Sequence, residues 1–229
     1  MNEHGQKARS IATQHALMDA AEKLISEKGI QNVTKREIVK AAGQKNESVL
    51  QYHFQNLEGL LGAIQQSRAT QTQEARAELL EHLLAENQKP TLRDLCKIMV
   101  LPPFLLSKKD SGYCRYLRAF SLEPALSANS ALSLVQSQGA GGDSGKKTGK
   151  LLRKLLAHLE GETYQRRMDS AIRLASVSMS YQARQKSAFR GIDAEIFINS
   201  LVDAIVGLLN APVSDETAAS LKKFASGKK

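Results

Sequence analysis

Within the eight residues from Lys45 to Tyr52, the side chains of Lys45, Asn46, Glu47, Ser48, Gln51 and Tyr52 all offer hydrogen-bonding groups. An Asn or Gln carboxamide matches the paired donor and acceptor on an adenine edge, and Glu accepts from a cytosine amine. Lys35 and Arg36 lie a short way upstream and carry the charge that suits phosphate oxygens. His53 follows at the edge of the set, where a structural or phosphate-contacting role outweighs a metal-binding one. Other chemistry is poorly supported. His4, His15, His53, His82 and His158 are scattered, with no Cys, Asp or Glu at ligand spacing, so no metal is expected. Cys96 and Cys114 lack CxxC spacing and read as reduced structural thiols. The run Gly141–Thr148 resembles a phosphate loop but fails its pattern. Ala140 stands where the first glycine belongs, Lys147 follows the lysine in place of Ser or Thr, and no strand precedes it. No nucleophile–base pair or carboxylate pair stands out, so neither an enzyme nor a cofactor is expected.

The polar set shares one surface only if a short helix carries it. Leu17, Ala20, Ala21, Leu24 and Ile25 fall on one face of a helix over Thr13–Glu27, which Gly29 stops. Thr34-Lys35-Arg36-Glu37 is a capping-box sequence that starts a second helix running through Ile38 and Ala41-Ala42 to Gly43. The turn Gln44-Lys45-Asn46 leads to a third helix, Glu47–Phe54, with Val49, Leu50, His53 and Phe54 on its inner face. Glu47, Ser48, Gln51 and Tyr52 then point outward. Three helices with a tight glycine turn between the second and third describe a helix-turn-helix. The competing reading is a plain three-helix bundle in which Thr34 is only a cap and Tyr52 only a surface aromatic.

The rest of the chain reads as helix. Asn56 caps a long fourth helix reaching about Glu86, and Leu92–Leu101 ends at Pro102-Pro103. Tyr113–Gln136 breaks near Pro124, Gln138–Gly145 is a glycine-rich loop, and Lys146–Leu159 stops before Gly161. Glu162–Lys186, Ala194–Leu209 and a tail helix Asp215–Phe224 capped by Ser214 complete the set. The fold class is therefore all-α. It divides into residues 1–56, a helix-turn-helix domain, and residues 57–229, a helical domain for ligand binding and dimerisation.

Aromatic residues make up only 5% of the 229-residue chain and Trp is absent, which favours packed helices. The net charge of +9 invites an anionic partner. Its distribution is uninformative, because residues 1–56 hold eight Lys/Arg against six Asp/Glu. The longest apolar run, Ile98–Leu106, contains two prolines and is too short for a membrane span. With no signal-peptide pattern at Met1–Ser10, a cytoplasmic protein is expected, with no membrane partner.

On Ala194–Leu209 the apolar residues fill an arc of roughly 200°, whereas a helix lying on its own core needs roughly 100°. The surplus predicts a homodimer seam formed with Glu162–Lys186, using Ile172, Ala175 and Met179 from one helix and Phe197, Leu201, Ile205 and Leu208 from the other. A helix buried centrally in a monomer is the alternative.

Residues Thr13 to Leu61 resemble the DNA-binding domain of the tetracycline-repressor (TetR) family. The likeness rests on Leu17-Met18-Asp19-Ala20-Ala21, Glu27-Lys28-Gly29, Thr34 with Ile38 and Ala41-Ala42-Gly43, Tyr52-His53-Phe54, and Glu58-Gly59-Leu60-Leu61. The resemblance implies a transcriptional regulator, by family habit a repressor, that binds palindromic double-stranded DNA as a homodimer. It places Thr34 and Tyr52 at phosphates and Lys45 to Gln51 at bases. Three departures are visible: Lys45-Asn46-Glu47-Ser48 replaces the usual Ser-Lys-Gly-Thr, the segment from Gly43 to Phe54 is one residue longer, and Leu57 stands where a lysine is common. The resemblance also implies a pocket for a small hydrophobic effector among the helices carrying Met99, Phe104, Tyr113, Tyr116, Phe120, Met168, Met179 and Tyr181. Two rivals stay open. One is a helical small-molecule binder or enzyme that has lost DNA binding. The other is a nonspecific DNA binder using the basic Lys146–Lys154 segment and tail.

Overall fold

The computed structural model describes residues 3–87, 89–137 and 142–226, and among them every regular element is helical. Helix α1 (Glu3–Lys28) begins ten residues before Thr13, where the sequence reading starts it. Helices α2 (Lys35–Ala41) and α3 (Ser48–Phe54) are short, and α4 (Leu57–Glu86) is the longest. The body adds α5 (Leu92–Lys109), α6 (Ser111–Phe120), α7 (Glu123–Leu126), α8 (Ala131–Ser137), α9 (Gly142–Leu155), α10 (Gly161–Arg184), α11 (Gly191–Asn210) and α12 (Asp215–Ser226).

Three further boundaries differ from the sequence reading. Helix α5 runs through Pro102 and Pro103 instead of ending there. Each proline removes one backbone donor, but Val100, Pro102 and Phe104 are buried, and packing holds the helix across the gap. The α6 break comes at Ser121, before Pro124, and a second follows at Ser127. Arg173 on α10 stabilises this stretch by donating to the carbonyls of Pro124 (3.0 Å), Ala125 (2.8 Å) and Asn129 (2.8 Å). Helix α9 starts at Gly142, so the second half of the expected glycine loop is helical. Residues 138–141 lie outside the described residues.

Two apolar cores result. The larger one joins α5, α6, α9, α10 and α11 through Leu95, Phe104, Tyr113, Leu152, Met179 and Ile205. The smaller one holds Leu17, Ile25, Ile38 and Leu50 together with Leu60 and Ile64 from α4 and Phe120 from α6. The smaller core therefore reaches past residue 56, where the sequence placed a boundary. Cys96 and Cys114 are buried and unbridged. Burial pushes both thiols up, Cys96 to about 12, so they remain protonated and unreactive.

Candidate DNA interface and the cavity behind it

Local chemistry sets the geometry of α2 and α3. The Thr34 hydroxyl accepts from the Glu37 amide at 3.3 Å, and a Glu37 carboxylate oxygen accepts from the Thr34 amide at 2.9 Å. This reciprocal pair is the expected capping box. Lys28 donates to the other Glu37 oxygen at 2.7 Å, and together with the Thr34 bonds it holds the Glu37 carboxyl at about 2. At the other end of α2, Gly43 adopts φ +70. Its amide donates to Lys40 and the Gln44 amide to Val39, a paired closure that requires a left-handed residue.

Helix α3 is preceded by a side-chain to backbone bond that the sequence did not reveal. The Asn46 side-chain oxygen accepts from the Ser48 amide at 3.0 Å, so one end of the carboxamide expected to read a base is engaged in holding the helix. Leu50 is buried and Val49 and Phe54 half-buried, whereas Glu47, Ser48 and Gln51 are exposed and Tyr52 is 82% exposed. Thr34, Lys35, Arg36, Lys45 and Asn46 are exposed too. His53 is half-buried and turned toward α1, with its ring nitrogen 3.5 Å from the Gln14 amide. A close turn links α3 to α4. Asn56 caps α4 through the Gly59 amide at 2.8 Å, and a Cβ on Gly59 would lie 2.0 Å from the Phe54 carbonyl oxygen.

The surface is tied to the body by an ion cluster that sequence reasoning missed. Arg68 on α4 makes a two-pronged pair with Glu22 on α1, at 2.8 and 2.7 Å, and reaches Asp110 at 2.8 Å. Burial opposes the Arg68 charge, but the two carboxylates prevail and raise its pKa. Asp110 also caps α6 by accepting from the Gly112 and Tyr113 amides. Along α6, Tyr113 meets Tyr116 edge to face at 5.6 Å and Tyr116 stacks on Phe120 at 5.4 Å, and the three rings bridge the two cores.

Behind α6 lies a cavity of about 620 Å³. Met99, Met168 and Met179 line it, but the other residues expected of an effector pocket do not. Phe104, Tyr113 and Phe120 are buried in the cores, Tyr116 packs between them, and Tyr181 is 65% exposed on the outer face of α10. Leu117, Leu132, Leu152 and Ile172 take their places at the wall. A cleft of about 740 Å³ between α1 and α6 sets Asp19 and Glu27 against Arg115 and Arg118. Charges of both signs suit it poorly to an apolar guest.

The residues expected at a dimer seam are also placed differently. Leu201, Ile205 and Met179 are consumed by the body's own core, Ala175, Phe197 and Leu208 are half-buried, and Ile172 faces the cavity. The surplus apolar surface consists instead of Val177 and Tyr181 on α10 with Ile192 and Ile196 on α11. The difference arises because the core claims Ala194, Ile198, Leu201, Val202, Ile205 and Leu209.

These features describe an all-helical protein with a helix-turn-helix at its N-terminal end. Residues 17–64 match the model of the tetR family of bacterial regulatory proteins. Two solved structures are similar over most of their length. SCO7518 from Streptomyces coelicolor A3(2), assigned as a transcriptional regulator, is 18% identical, with 87% of this chain and 99% of that chain covered at a TM-score of 0.41. Salmonella enterica GusR is 15% identical, with 87% and 96% covered at a TM-score of 0.37. Among curated proteins none matches the chain. Among the described residues no group of His, Cys, Asp or Glu is placed to hold a metal ion, and no single helix is long and apolar enough to cross a membrane.

Proposed function

We propose that the protein is a homodimeric, cytoplasmic transcriptional repressor. It reads a palindromic operator with α3 and is released when a small molecule binds the helical body. The observation that carries this reading is the division of α3 into two faces. Val49, Leu50 and Phe54 face inward, leaving Glu47, Ser48, Gln51 and Tyr52 exposed together. Gln51 and Glu47 are the base readers. Tyr52, Thr34, Lys35, Arg36 and Lys45 hold phosphates, Ser48 serves either role, and Asn46 mainly sets the start of α3. His53 steadies α3 against α1.

Residues 1–56 with the start of α4 form the reader, and the remainder forms the sensor. The exposed Val177, Tyr181, Ile192 and Ile196 support a two-fold four-helix seam, which would set two readers on half-sites about one DNA turn apart. The cavity lined by Met99, Met168 and Met179 is the effector site. A guest there presses on Leu117 of α6, and α6 carries both Asp110's partners and Phe120 into the reader's core. Binding favours a reader spacing that no longer fits the operator.

The test is to incubate purified protein with sheared genomic DNA at near-physiological salt and sequence what is retained. One enriched palindrome is the expected result. Random retained DNA would favour the nonspecific binder, and no retained DNA would overturn the reading.

A further inference from the structure

The cleft of about 740 Å³ between α1 and α6 has sides of opposite charge. Along α1, Asp19, Lys23 and Glu27 follow one another at a spacing of four, exposed on one face and net acidic. The other side carries Arg115 and Arg118 of α6 with Lys186 and Arg190 from the link between α10 and α11. Among the described lining residues that side has no carboxylate, and no ion pair joins the two sides.

The basic side is only partly engaged. Arg118 donates through Nε to the Ala183 carbonyl, and Arg115 Nη1 lies 3.4 Å from the Ser111 hydroxyl. Arg115 also feels the buried Glu22 carboxylate, which Arg68 already holds by two bonds. Its Nε, by contrast, is buried without an acceptor. The hydroxyl of Ser107 on α5, a residue only 8% exposed, is likewise buried and unpartnered at the edge of the same cleft. A buried donor left unmet costs about 1–3 kcal/mol, and an acceptor seated beside it offsets that cost. The half-buried Arg115 need only turn its Nε edge outward to hold a carboxylate by two parallel bonds.

We infer that this cleft binds a small zwitterion whose ammonium and carboxylate ends are set apart, as in a short peptide with free termini. Arg115 and Ser107 take the carboxylate, Lys186 and Arg190 stand beside it, and Asp19 and Glu27 take the ammonium. A simple anion would satisfy only one side, and the volume suits a small organic molecule. Because α1 belongs to the reader and α6 to the sensor, the guest clasps one to the other. The site is separate from the cavity behind α6 and does not depend on what that cavity holds.

The test uses the full chain and three matched probes: triglycine, N-acetyltriglycine and triglycinamide. They carry both end charges, the anion alone and the cation alone. Binding is followed by calorimetry at neutral pH and low salt, because salt screens exposed charges. Triglycine should bind on the order of fivefold more tightly than N-acetyltriglycine, as exposed ion pairs allow. It should bind on the order of tenfold more tightly than triglycinamide, which lacks the charge-assisted bonds to Arg115. Asp19→Asn combined with Glu27→Gln, both at exposed sites, should erase the preference for triglycine over N-acetyltriglycine. Arg115→Met should weaken both carboxylate probes, and Lys186→Met, at an exposed site that carries no folding risk, should weaken them less. Ser111→Phe, exposed at the mouth, should exclude all three. No binding of triglycine, equal binding of triglycine and N-acetyltriglycine, or tighter binding of triglycinamide would each overturn the inference. So would unchanged selectivity in the Asp19 and Glu27 variant, or normal triglycine binding by Ser111→Phe.

Discussion

Single side chains decide both the shape of the helix-turn-helix surface and its attachment to the body. Glu37 lies half-exposed at the surface, yet Lys28 and the Thr34 bonds hold its carboxyl at about 2, against an ordinary 4.5. A depressed carboxyl stabilises the fold above its unfolded value, so this contribution is complete at neutral pH and is lost as pH falls from about 4.5 to about 2. A carbon-13 titration of Glu37 should show that low midpoint, and Lys28→Ala should move it up toward the ordinary range. A normal midpoint in the parent protein would remove the Lys28 contact from the account. Arg68 and Glu22 are both buried, so Arg68→Met leaves an uncompensated carboxylate and should lower unfolding stability by about 3–5 kcal/mol. A loss below about 1 kcal/mol in urea unfolding would mean that Glu22 is satisfied without it. On DNA, Gln51→Ala should weaken operator binding on the order of tenfold while sparing random sequence. Lys35→Ala should weaken both and reduce the salt slope by about one. Equal losses on both DNAs for both variants would refute the division between readers and phosphate anchors. The caps at Thr34 and Asn56 were legible in the sequence because a cap is a local pattern. The Arg68 cluster was not, because Glu22 lies 46 residues away and Asp110 42, and no periodicity links them.

At the level of helices, apolar spacing announced which segments would be helical better than it announced which way they would face. The stripe on α11 is wide enough that sequence alone cannot choose which part meets the body. The structure turns Leu201 and Ile205 inward and leaves Ile192 and Ile196 outside. Two substitutions nine residues apart should therefore behave differently. Ile196→Asp should yield folded monomers in sedimentation, whereas Ile205→Asp, at a site with no exposure, should abolish cooperative unfolding. A folded Ile196→Asp dimer would place the seam elsewhere. The prolines of α5 and the glycines of α9 misled for a related reason. Breaker residues report a local preference, and burial of Val100, Pro102 and Phe104 on one helix and Leu152 on the other outweighs it. The cavity residues were legible only in part, since an apolar side chain on a given helix can face core or cavity without changing the pattern. Met99 and Phe104 on α5 took opposite fates.

Across the whole molecule, the two cores are distinct but not independent. Leu60, Ile64 and Phe120 complete the smaller one from outside residues 1–56. A fragment ending at Asn56 loses these three buried side chains, each worth about 1.5–3 kcal/mol when fully buried, from a small core. It should be largely unfolded by circular dichroism, and a cooperative melt from that fragment would show the smaller core to be self-sufficient. The same sharing bears on how such a protein can be recombined. A reader joined to a foreign sensor at the short Gln55-Asn56 link would arrive without the hydrophobic lid that Phe120 provides, and its inner face would stay open to water. A working chimera must inherit the opening turns of α4 and the end of α6 along with the reader. The unit of exchange is therefore discontinuous in the chain, and substitutions at Phe120 would be constrained by two partners at once.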